Sequence, residues 1–240
     1  MRKINFLILF VTFSISAQIE LKIDSITSTD INPKKRKFYI NYHISNLTNK
    51  EISFFLIPNS LIANSASSLT LFPVYKIFQN GVFEDVDGPF YERTFKEQKD
   101  VEDINESDKG KKIIEEITKK YTLEYQDIIE NYKKNGGKSN DDMWILKNQK
   151  LLQNIVIIKP NETKNFIIQT NWDKKRYYKI DDNEYYLNEN DAFEIELCLY
   201  LDKSNRKNSL SPEEFLKINN DENFIQGTFT SNKIEINFKE

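Results

Sequence analysis

The sequence predicts a mainly β protein, an antiparallel β-sandwich with a helical insertion. Three observations predict it. Apolar residues recur at every second position along most of the chain, turn-forming clusters separate those runs, and between about residues 92 and 150 the spacing becomes helical. Alternation of period two buries one face of a strand and wets the other. It suits antiparallel sheets better than the unbroken apolar strands of parallel ones.

Taken in order, the chain opens with a positive start at Arg2 and Lys3. An apolar run from Ile4 to Phe13 follows, then the small residues Ser14-Ile15-Ser16-Ala17. This is the three-part layout of a secretory signal peptide, with cleavage expected after Ala17 and a mature chain of residues 18–240. The apolar run is about half the roughly 20 residues that a bilayer-spanning helix needs. No later segment is longer and as apolar, so no transmembrane anchor is expected. The expected location is exported, periplasmic or secreted. Cys198 is the only cysteine, so no intrachain disulfide can form and core packing must hold the exported domain together.

The first strand signals are Ile19, Leu21 and Ile23, then Phe38, Ile40, Tyr42 and Ile44, each set alternating with polar residues. Asn46-Leu47-Thr48-Asn49-Lys50 separates the latter from the next strand. Asn80-Gly81, between Val74–Phe78 and Val82–Val86, is the strongest short hairpin signal in the chain. Pro160-Asn161-Glu162-Thr163 reads as a turn: Pro presets its own φ and lacks a donor, and Asn tolerates turn geometry. Beyond it, Phe166, Ile168, Thr170 and Trp172 share a face. Phe193, Ile195, Leu197, Leu199 and Leu201 form another alternating set, and Thr230-Ser231-Asn232-Lys233 precedes the closing Ile234, Ile236 and Phe238.

Within the 92–150 insertion, Ile114, Ile117 and Tyr121, then Tyr125, Ile128, Ile129 and Tyr132, fall at helical spacing. Gly136-Gly137 ends that run, and Trp144-Ile145-Leu146 begins another apolar piece. A further short helix is signalled by Ser211-Pro212-Glu213-Glu214. Ser caps, Pro occupies the first turn, and Glu214 completes a capping box ahead of Phe215 and Ile218. Roughly ten strands with this decoration fit an immunoglobulin-like sandwich lacking the antibody Cys–Trp–Cys pattern.

The succession "NLTNK", "VYKIFQNGVFEDV" and "IIKPNETKNFIIQTNWD" resembles the Ig-like domains of the bacterial intracellular proteinase inhibitor family. That family shows a similar Asn-x-Thr/Ser turn, hairpin, Pro-x-Glu turn and closing Trp-Asp. The likeness covers Phe38–Val86 and Ile155–Asp173, under half the chain, and implies the fold. The export signal and the insertion of about sixty residues depart from the family, so proteinase inhibition is not carried over. The Lys-, Asn- and Ile-rich, Ala- and Gly-poor composition resembles that of an AT-rich bacterium. There the sequons at Asn46 and Asn161 carry no meaning; in a eukaryotic secreted protein they would be glycan sites.

Chemistry is sparse. The single histidine, His43, stands on the polar face of its strand, so any Ser-His-Asp or Cys-His site must use it. No Gly-x-Ser-x-Gly elbow accompanies it. Zinc spacing is lacking, and the clusters Asp181–Glu184 and Asn188–Asp191 lack the pattern of an EF-hand loop, so no metal is assigned. With 37 acidic residues some carboxylate pair will meet glycosidase spacing by chance, and Glu194 and Glu196 do so trivially. Six glycines form no nucleotide loop, and no cofactor is expected.

Loss of residues 1–17 removes two positive charges and no negative ones, moving the formal charge from −3 to −5. Such a chain has no electrostatic reason to bind nucleic acid, despite the basic runs Lys34-Lys35-Arg36-Lys37 and Lys174-Lys175-Arg176. Short basic runs beside strands commonly guard edges. Aromatic density is the one surplus: Trp172, Tyr177, Tyr178, Tyr185 and Tyr186 fall within fifteen positions among charges. Such rings give large contact area at low entropic cost; alternatively they pave an edge or plug the sandwich mouth. The expectation is therefore a non-enzymatic binding protein, inhibitor- or immunity-like, that contacts a protein partner, or less favoured a glycan, through the loops near Trp172–Tyr186 or through the helical insertion. The alternative is an exported carboxylate-dependent hydrolase such as a glycosidase.

Overall fold

The computed structural model describes residues 18–63, 70–84, 90–91, 108–174, 179–180, 183–184 and 191–238. Two antiparallel layers carry the fold. The first joins β1 (Ile19–Asn32), β2 (Lys35–Asn46), β9 (Thr163–Asp173) and β7 (Phe90–Tyr91), in the order β1-β2-β9-β7. The second runs β13 (Gly227–Thr230), β12 (Phe193–Leu201), β5 (Val74–Gln79) and β4 (Ile62–Ala63). There β6 (Val82–Glu84) is hairpinned to β5 and β14 (Ile234–Glu235) pairs with β12. Only the short β4–β5 pairing is parallel among the described ladders.

The expected alternations supply the shared core. Ile19, Leu21 and Ile23 of β1, Phe38 to Ile44 of β2, Ile168 and Trp172 of β9, and the odd-numbered residues of β12 meet Tyr75 and Ile77 of β5 in one cluster. Tyr42 is wholly buried, and its hydroxyl donates to the Pro58 carbonyl at 2.7 Å; burial pushes the phenol pKa far up. Past Ile23 the β1 parity changes. A register shift between Ile23 and Ser25 turns Ser25 outward opposite Asn41 and brings Ile26 to the core.

Two breaks in the β2–β9 ribbon create a third, two-stranded piece, β3 (Ile52–Phe55) with β8 (Ile155–Ile158). The Pro160–Asn161 turn lies at one break. Asn161 takes φ +56°, and Glu162 closes the turn by accepting from the Lys159 amide at 2.7 Å. At the other break sits Asn46, 1% exposed. Its amide donates to the carbonyls of Lys50, Ile158 and Lys159 at 2.7, 3.1 and 2.9 Å. Its Oδ1 accepts from the Thr48 amide and hydroxyl at 2.9 and 2.8 Å. One side chain thus replaces the ladder bonds the ribbon loses where it bends, and a side chain so enclosed is not available to a glycan.

Helices occupy the interval between β7 and β8. α1 (Asp108–Lys134) ends in a Schellman closure: Gly137 N–H bonds Tyr132 O at 3.0 Å, and Gly136 N–H, at φ +86°, bonds Lys133 O at 3.1 Å. α2 (Asp142–Gln153) is capped by Asp141 and runs three residues beyond the expected limit of 150, to a turn at Asn154. The insertion docks through α2. Ile145, Asn148 and Leu151 are buried, and Leu151 joins Phe55, Leu210, Ile218 and Phe224 in a second, smaller core. α1 rests its C-terminal part on α2 through the Tyr132–Trp144 ring contact, 6.1 Å between centroids. Ile128, Ile129 and Tyr132 are half-buried, whereas Tyr125 and Leu123 are exposed. The side chains of Ile114, Ile117 and Tyr121 lie outside the described residues, as do residues 1–17 and 92–107.

α3 (Pro212–Asn220) carries the expected capping box of Ser211 and Glu214, with Pro212 in the first turn. Glu214 has a second task. It also accepts from the wholly buried Asn148 at 2.8 Å, tying α3 to α2.

Candidate recognition surface

The sequence points to the stretch from Trp172 to Tyr186. At its near stem, β9 runs beside β2, with Lys35 opposite Asp173 and Arg36 opposite Trp172. The inward alternation of β9 carries Trp172 into the core, where it is 4% exposed. Its ring lies 5.1 Å from Phe238 and 6.3 Å from Phe38, and Phe90, Phe193 and Tyr75 complete an aromatic plug at this end. Trp172 thus fits the plug of the sandwich mouth: the parity that turns Phe166 inward and buries Ile168 and Thr170 buries it too. Tyr177, Tyr178, Tyr185 and Tyr186 lie outside the described residues, as do most of the acidic positions between 181 and 190.

A charged clamp covers the plug. The Arg36 guanidinium lies 5.6 Å over the Trp172 ring. It holds Asp30 through Nε at 2.6 Å and Nη2 at 3.3 Å, while Lys174 Nζ reaches the same carboxylate at 2.7 Å. These bonds, Arg36 first and Lys174 second, hold the Asp30 pKa down at about 2. Arg36 also donates to Asn237 O at 3.4 Å, and the Lys174 amide donates to Lys34 O at 2.9 Å. Chain end, hairpin and β9 exit are thereby joined.

The far stem is held independently. Asn80 donates its backbone N–H to Ala192 O at 2.8 Å and accepts from Ala192 N–H on its side chain at 3.1 Å. Asn80 and Gly81 both have positive φ, 50° and 81°, as the expected two-residue hairpin requires. Gln79 donates to the Asp191 carboxylate. The segment 175–190, which includes the short pair β10 (Lys179–Ile180) and β11 (Asn183–Glu184), therefore leaves and rejoins the sandwich at two bonded stems.

The reactive side chains are apart. His43 lies on the outer face of the β1-β2-β9 layer, with Nδ1 2.8 Å from Asp24 Oδ1 and Nε2 3.9 Å from Glu20. Cys198 is buried on the outer side of β12, in the opposite layer. The sandwich thickness separates them. Glu194 and Glu196 share that outer side of β12. Glu196 meets Lys76 at 3.8 Å, and Glu194 stands opposite Glu235 in register. Among the described residues no cluster of three or more His, Cys, Asp or Glu could hold a metal ion, and no helix is long and apolar enough to cross a membrane.

No protein-family model matches the chain, and no match was found among curated proteins or solved structures.

Proposed function

We propose that this chain is an exported, non-enzymatic binding protein that grips a protein partner through the segment 175–190, with Tyr177, Tyr178, Tyr185 and Tyr186 as contact residues. The observation that supports the reading is the pair of stems. A tyrosine-rich stretch leaves a sandwich end between Lys174, clamped on Asp30, and Ala192, clamped on Asn80. Binding residues sit preferentially on loops positioned by a rigid scaffold. Tyrosine brings contact area with few rotors to freeze. The separation of His43 from Cys198 favours binding over nucleophilic catalysis.

The test is capture from the producing cell's envelope with the chain from Gln18 onward, beside a variant with all four tyrosines changed to Ser. A control changes Leu123 and Tyr125 on the exposed side of α1. The expected result is one partner retained by the parent and the control and lost by the tyrosine variant. Retention by the tyrosine variant would overturn the assignment. So would selective capture of a polysaccharide.

A further inference from the structure

Two basic runs that are 140 residues apart in sequence meet at the β1–β2 tip. Lys34-Lys35-Arg36-Lys37 forms the turn and the start of β2, and Lys174 joins it by donating its backbone N–H to Lys34 O. Five cations stand here with Asp30, and Asp173 is the register partner of Lys35, in a chain whose formal charge is −3. The cations divide into two sets. Arg36 and Lys174 turn inward onto Asp30. Lys34, Lys35 and Lys37 have no ion-pair partner among the described residues, and they are exposed or half-exposed.

Beside them is an apolar residue with no core to enter. After Asp30, which pairs with Arg36 on the inward face, alternation turns Ile31 outward, and it is 54% exposed. A second register shift between Asp30 and Asn32 leaves Ile31 opposite no β2 residue. Lys35 and Lys37 lie on the same outward side, since Arg36 and Phe38 between and after them point inward. An edge guard against aggregation needs the lysines but gives no reason for the isoleucine.

We infer that this hairpin tip docks on an anionic phospholipid bilayer, with Lys34, Lys35 and Lys37 at the headgroups and Ile31 at the acyl boundary. Cations near such a surface each strengthen binding about fivefold, and a single apolar side chain at the boundary adds a comparable factor. The Arg36–Asp30–Lys174 clamp stiffens the tip from behind, so little hairpin entropy is lost on docking.

The experiment is flotation of the chain from Gln18 onward, which contains every described element, with phosphatidylcholine vesicles made with and without phosphatidylglycerol. Expected is binding to the anionic vesicles alone, lost at high salt. Lys34→Gln, Lys35→Gln and Lys37→Gln together lower it about 100-fold, and Ile31→Ser about fivefold. Thermal unfolding should be unchanged in both variants, since none of these side chains is in the core. Equal binding to neutral vesicles, no binding at low salt, or full binding by both variants would overturn the inference. Retention on immobilised polyglutamate without vesicle binding would also overturn it and assign the tip to an acidic protein. The tyrosine variant above must still float, so a failure of the loop reading and a failure of this one are distinguishable.

Discussion

Replacing Asn46 tests whether one buried amide holds the bent ribbon together. Asn46→Ala removes five hydrogen bonds. Four of their partner groups belong to Thr48, Lys50 and Lys159, which have some exposure and can turn to water. The Ile158 carbonyl cannot, because its bond to Asn46 is buried. At about 0.5–1.5 kcal/mol for each of the four bonds whose partners can turn to water, with about 1–3 kcal/mol for the stranded acceptor, the expected loss is roughly 3–9 kcal/mol. Asn46→Asp keeps the acceptor for Thr48 but aims a carboxylate oxygen at three carbonyls. Burial and the three carbonyls facing the second oxygen outweigh the Thr48 donors and raise its folded pKa above the unfolded value of about 3.9. A raised folded pKa means the stability is fully present below the unfolded pKa and lost as pH rises through the folded one. The Asp variant should therefore lose stability from pH 4 upward relative to the parent, and the Ala variant should not. Urea unfolding followed by circular dichroism reads both. A loss below about 1 kcal/mol for the Ala variant, or parallel pH profiles for Asp and parent, would refute the reasoning.

Three further outcomes follow from the same geometry. Trp172→Ala should cost about 3–5 kcal/mol in urea unfolding, since it opens the aromatic plug and leaves Arg36 without its ring. Asp30→Asn should flatten the acid limb of the stability profile. The Asp30 pKa is depressed from 3.8 to about 2, so its contribution is present above pH 4 and lost as pH falls toward 2. Thermal melts across that window give the comparison. Ser211→Ala removes the α3 cap and should lower stability by about 0.5–2 kcal/mol, read as a shift in the urea midpoint.

The local signals in the sequence translated directly because they depend on near neighbours. Asn80-Gly81 required two positive φ angles and has them; Ser211 to Glu214 required a reciprocal cap and has it. The alternation of β2, β9 and β12 likewise told which side chains enter the core. β1 was legible only as far as Ile23, because the bulge that follows reverses the parity and is stabilised by pairing with β2, which is not written locally. Trp172 shows the same limit at the candidate site. Its aromatic character and neighbouring charges suggested contact with a partner, while its place in the β9 alternation, shared with Ile168 and Thr170, carries it inside.

From residue order alone came the two antiparallel layers, the position of the helical insertion and the sites of the turns. Those features rest on side-chain periodicity and on backbone preferences over a few residues. Only the folded chain decided which distant residues meet: Asn46 with Ile158, Asn148 with Glu214, Lys174 with Asp30. Such pairings depend on strand order and register, which the summed packing of both layers selects and no short stretch of sequence encodes.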